Sequence, residues 1–84
     1  MEDIQIIVLV NNTVLISTIT AVVSDLGEPD CKLIKPYQII DHKLSKWLSD
    51  FTDNEDSIMI SSDKILTLVD PKENLLNDYL TLTK

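Results

Sequence analysis

The sequence predicts a mainly β domain: a small, strongly bent five-stranded barrel with a C-terminal helix. Three observations lead there. Runs of Val, Ile and Thr at residues 4–10 and 14–24 are apolar on both faces, so both faces need covering. A proline, Pro36, stands inside a third such run, residues 31–40. It can give no hydrogen bond to a ladder, so it marks a bulge or an unpaired edge, as where the sheet of a small barrel turns a corner. Residues 70–84 then switch to helical spacing.

Each element has a local reason. Between the first two strands, Asn11-Asn12-Thr13 reads as a tight hairpin turn, because asparagine tolerates left-handed backbone angles. The second strand places Leu15, Ser17, Ile19, Ala21 and Val23 on one face and Val14, Ile16, Thr18, Thr20 and Val22 on the other. Residues 25–30 form a turn around Gly27, and the third strand follows. Residues 42–56 admit two readings. Leu44, Trp47, Leu48 and Phe51 share the spacing of a helical face, yet the segment also fits a strand extension that packs Trp47 inward. Residues 57–61 and 64–69 are two short strands joined by Ser62-Asp63. The helix spans residues 71–81: Asp70 caps it, Pro71 takes its first position, Glu73 completes a capping box, and Leu75, Leu76, Tyr79 and Leu80 form its apolar stripe.

The 84 residues make one domain, near the small end for a self-sufficient core. Such a chain is stabilised by disulfides, by a metal, or by burial against copies of itself. Its single cysteine, Cys31, rules out an intrachain disulfide, and with the single histidine, His42, it falls short of a four-ligand zinc site. Hydrophobic residues are nevertheless 44% of the chain, which points to self-association. Met1-Glu2-Asp3 lacks the basic start of a signal peptide, and the apolar run at residues 6–10 is too short to span a bilayer. The unpaired thiol fits a reducing compartment, so the expectation is an intracellular, cytoplasmic protein with no membrane contact.

The net charge is −7, and all seven bases are lysines. General binding along a phosphate backbone, which favours forked guanidinium contacts, is disfavoured. Four of those lysines, Lys32, Lys35, Lys43 and Lys46, nonetheless lie in residues 31–48 against one acid, Asp41, and near Tyr37, Trp47 and Phe51. Aromatics interleaved with bases can stack and hold single-stranded nucleic acid; aromatics at this spacing also build cores. Cys31 and His42 are the only nucleophile and base of their kind, and no motif joins them, so Cys31 reads as a packed thiol and no catalytic residue is assigned. Asp53, Glu55 and Asp56 lack the central glycine of a calcium loop, so no metal and no cofactor is assigned.

The order of elements, with "GEPDCKLIKPY" and "SSDKILTLVDP", resembles the Sm-like family of RNA-associated ring proteins, which includes the bacterial Hfq type. The likeness is nearest to small Sm-like proteins of cyanophages. It implies a bent five-stranded barrel whose fourth and fifth strands pair between neighbours to close a homo-oligomeric ring. The implied interface is Ser57, Ile58, Met59 and Ile60 against Ile65, Leu66 and Leu68. It implies single-stranded RNA as a partner, with Lys64 lining a pore-side pocket, Asp30 as the pocket aspartate, Tyr37 for stacking and Lys35 for phosphate. Phage origin would place the ring in the cytoplasm of the host cell. The chain departs from the family: Ser17 or Ala21 stands where a strand glycine is usual, and Ser62-Asp63-Lys64 replaces an arginine–glycine pair. The alternative reading is an oligomeric scaffold or adaptor that binds a protein partner and has lost RNA.

Overall fold

The computed structural model describes residues 3–54 and 57–83. Among these residues, six strands and one helix follow in chain order. They are β1 (Asp3–Leu9), β2 (Val14–Ala21), β3 (Cys31–Ile40), β4 (Lys43–Lys46), β5 (Ile58–Ile60), β6 (Ile65–Val69) and α1 (Glu73–Thr83), with a 3-10 turn (Ser62–Lys64) before β6. All pairings are antiparallel, in the order β4-β3-β2-β1-β6, and β5 pairs with the first part of β3. The expected mainly β fold with a C-terminal helix is present. Among the described residues the sheet has one more strand than expected and is open, because β5 pairs only with β3 and β6 only with β1.

Both sheet faces are covered, as their double apolar pattern requires. Ile7, Leu9, Leu15 and Leu33 form one buried cluster. Ile58 and Ile60 from β5 and Ile65 from β6 pack on that same cluster, although β5 and β6 lie at opposite ends of the strand order. The sheet therefore curls around this core and stops one pairing short of a barrel. On the outer face, Ile16, Tyr37 and Tyr79 form a second cluster beneath α1, joined by Ile4, Ile6, Ile39, Leu44 and Leu75.

The bend lies at Pro36. Ile16 faces Tyr37 and Thr18 faces Ile34, so Ser17 alone opposes Lys35 and Pro36. Lys35 takes a positive φ of 53°, unusual for a side chain of its size. The extra residue leaves backbone groups without ladder partners. Tyr79, 2% exposed, supplies them: its hydroxyl accepts from Thr18 N–H at 3.3 Å and shares its proton between the carbonyls of Ile34 (3.1 Å) and Lys35 (2.9 Å). The buried Ser17 hydroxyl reaches the Ile34 and Thr18 carbonyls at 3.1 and 2.9 Å. Burial pushes the Tyr79 hydroxyl above its ordinary pKa, so it stays a donor.

Turns and ends differ in part from the sequence reading. Asn12 adopts φ 71°, and the hairpin is closed by Leu9 N–H to the Thr13 carbonyl at 2.9 Å. The second strand stops at Ala21 rather than residue 24, and the late strands and helix begin a residue or two after the expected positions. Residues 42–51 are not a helix. Asp41 and His42 both have positive φ and turn β3 into β4, with Ile40 opposite Lys43. Trp47 then packs inward while Phe51 is exposed, so the apparent helical stripe is divided between two faces. The Asp70 capping box is also absent. Asp70 instead accepts from Gln5 Nε2 at 3.0 Å, and the first helical bond runs from Leu76 N–H to the Lys72 carbonyl. Among the described residues, no helix is long and apolar enough to cross a membrane.

Tyr79→Phe keeps the ring and removes only the hydroxyl from the bulge. It is expected to cost about 1–3 kcal/mol, the usual penalty for stranding buried polar groups. Urea unfolding at fixed protein concentration measures this, and an unchanged midpoint would show that the bulge satisfies itself.

Candidate functional site

The residues singled out from the sequence fall into three places. Asp30 and Lys64 share one. Asp30 precedes β3, and Cys31 pairs with Ile60, so the start of β3 lies beside the end of β5. The Asp30 carboxylate accepts from both the N–H and the hydroxyl of Ser62, each at 2.7 Å. Ser62 opens the turn that ends at Lys64, and the Lys64 carbonyl accepts from Val10 N–H at 2.9 Å. Asp30 thus pins the turn from which β6 departs, and Lys64 is exposed on that turn. The two Ser62 bonds hold the Asp30 carboxyl below its ordinary value.

This place is acidic. A surface hollow beside it is lined by Gly27, Glu28, Asp30, Ser61, Ser62 and Asp63. Three carboxylates therefore surround the hollow, with Lys64 next in sequence as the nearby cation. Cys31 adjoins it, and burial, followed by the Asp30 charge, pushes its thiol up. That disfavours the thiolate a nucleophile requires.

Tyr37 and Lys35 lie elsewhere, at the β3 bend. Tyr37 is 8% exposed and meets Tyr79 edge-on, with ring centroids 5.8 Å apart and planes at 88°. The ring lies mostly within the second cluster and also lines a hollow with Pro36 and Trp47. Lys35 Nζ donates to the Thr83 carbonyl at 3.3 Å, where a cation complements the C-terminus of α1. This bond takes one of the three donors of its ammonium. Of Asp53, Glu55 and Asp56, only Asp53 is among the described residues.

The third place is the pair of sheet ends. In β6, four of five residues are exposed: Leu66 63%, Leu68 45% and Val69 49%, together with Thr67. Ser57 and Met59 are exposed at the other end, while Ile58, Ile60 and Ile65 face the core. Sequence reasoning missed Ser62, the partner of Asp30. A serine before a turn carries too weak a signal, and its partner lies far off in the chain.

Residues 2–84 match the model of a family described as "Family of unknown function (DUF6561)", and the chain belongs to that family. No curated protein matches it.

A pH prediction follows from Asp30. A carboxyl with a lowered folded-state pKa contributes stability above its unfolded value, about 3.9, and loses it as pH falls through the lower folded value. The protection of the Ser62 amide relative to a free amide is expected to fall as pH drops below the ordinary carboxyl value of about 3.9, and in Asp30→Asn to be low at neutral pH already. Equal protection of Ser62 in Asp30→Asn and the parent would remove the clamp from the account.

Proposed function

We propose that this member of a family of unknown function is an Sm-like ring subunit that serves RNA binding or RNA–protein assembly. The carrying observation is the pair of open sheet ends. β5 and β6 each pair on one side only, and β6 exposes Leu66, Leu68 and Val69. A flat apolar edge invites pairing with another chain. Joining β5 of one copy to β6 of the next supplies the missing pairing. Burying the exposed parts of three such side chains is worth roughly 2–4 kcal/mol per junction. A head-to-tail contact of this kind closes into a ring when its rotation permits.

In this reading, RNA meets the ring at the turn pinned by Asp30, with Lys64 as its cation. Lys35 and Tyr37, which line a hollow at the β3 bend, are the further candidates for phosphate and for stacking. The reading involves no catalytic step, metal or cofactor. The alternative, a scaffold or adaptor ring that binds a protein and no RNA, is favoured by one specific observation. The hollow beside Lys64 is lined by Glu28, Asp30 and Asp63, a poor setting for phosphate.

Leu68→Lys places a charge in the proposed junction. The mass by light scattering is expected to fall to that of one 9.5 kDa chain. A parent protein that already sediments as a folded single chain would end the ring reading. Lys64→Ala is expected to leave the ring intact and abolish binding of a short uridine- or adenine-rich RNA, a binding that in the parent weakens steeply with salt. A parent ring that ignores such RNA at low salt leaves the scaffold reading in its place.

A further inference from the structure

β5 and β6 follow one another in the chain, yet they cannot pair with each other. β1 and β3 are both antiparallel to β2, so they share one direction. β6 is antiparallel to β1 and β5 to β3, so β5 and β6 share the opposite direction. Direction therefore excludes a hairpin between them. A parallel pair needs a crossover on the order of a dozen residues. The link from β5 to β6 is residues 61–64 alone. Their free edges are thus left for a second copy.

That link spans the opening of the sheet and is tied at both margins. On the β3 margin, the Asp30 carboxylate accepts from the Ser62 N–H and hydroxyl, each at 2.7 Å. On the β1 margin, the Lys64 carbonyl accepts from Val10 N–H at 2.9 Å. Between them, Lys64 N–H donates to the Ser61 carbonyl at 3.0 Å and tightens the turn. The turn buries none of its own residues, so packing does not set its shape. The ladders fix β5 to β3 and β6 to β1, and the two margins are joined through the curl of the sheet and through this turn. Ile58, Ile60 and Ile65 hold both strands to the core, but apolar contact has no direction, whereas hydrogen bonds do.

We infer that the Asp30–Ser62 clamp sets the rotation from one copy to the next, and with it the number of copies that closes the ring. This rests on the ring reading. When β6 of each copy pairs with β5 of the next, every junction has the same geometry. The rotation between neighbours is then the rotation between β5 and β6 within one copy, carried across a constant joint. A head-to-tail chain closes only when that rotation divides a full turn. A clamped turn gives one closure. A loosened turn spreads the rotation over several closures and open arcs. Asp30 is a positioning residue here: it lies outside the strand junction and acts on it through Ser62.

Native mass spectrometry reads the copy number. The parent is expected to show one multiple of 9.5 kDa. Asp30→Ala removes both bonds and should replace that single mass with several multiples. Ser62→Ala keeps the amide bond and should spread the masses less. Ser62→Thr keeps both donors and should retain the parent's one mass. General destabilisation acts differently, adding single chains beside an unchanged ring mass. An Asp30→Ala protein that keeps the parent's one multiple overturns the inference and leaves the ring standing. A second measurement works without a ring. Spin labels on Met59→Cys and Leu66→Cys, both exposed sites, read the distance from β5 to β6. The background is Cys31→Ala with Leu68→Lys, diluted with unlabelled protein so that only distances within one copy count. One narrow distance is expected, and adding Asp30→Ala should replace it with a broad distribution. An unchanged distance overturns the clamp's role whether or not copies assemble. A parent with the mass of one chain ends the ring reading, and the copy-number inference with it.

Discussion

The Tyr79 hydroxyl fills the break in the β2–β3 ladder, and the rest of the fold depends on that. A strand carrying Lys35 at positive φ followed by a proline cannot continue a flat ladder. The bulge is tolerable because a side chain from the helix meets the Thr18 amide and the Ile34 and Lys35 carbonyls. Once β3 bends there, its outer edge is divided. The part before the bend receives β5 and the part after it receives β4. That division lets the sheet curl until β5 and β6 share one core while remaining unpaired with each other. The helix is therefore the keystone of the bend and only secondarily a cover for the outer face.

What was legible in the sequence was local. Asn11-Asn12, Gly27 and Pro36 act within a few residues of themselves, through backbone preferences that no distant contact overrides. The doubly apolar strands announced two covered faces, and two clusters cover them. What was not legible depended on partners remote in sequence. Asp70 had every mark of a helix cap, yet Gln5 on β1 takes its carboxylate. The docking of Tyr79 against Tyr37 could not be read either, because nothing near Tyr37 in the chain shows it. Leu44, Trp47 and Phe51 imitated a helical face, because an irregular turn after a short strand can reproduce the same spacing. The Asp41–His42 turn lacked the Asn-Gly signal that marks such hairpins.

The candidate site was legible only as an outline. The nearness of Asp30 to the turn before β6 followed from the family resemblance; its clamp on Ser62 and its acidic surroundings did not. The lysines, counted along the chain, suggested a single basic patch. Folding keeps part of it: Lys35 and Lys46 line one hollow with Tyr37 and Trp47, while Lys35 also meets the end of the helix.

The brevity of β5 has a consequence for how copies would meet. Three residues offer few backbone bonds to a neighbour. On the proposed reading, an incomplete arc would shed its terminal member readily, whereas the final joint of a full circle forms without bringing in another molecule from bulk. Partial arcs would then be scarce, and on dilution the population would divide between whole circles and lone chains with little in between.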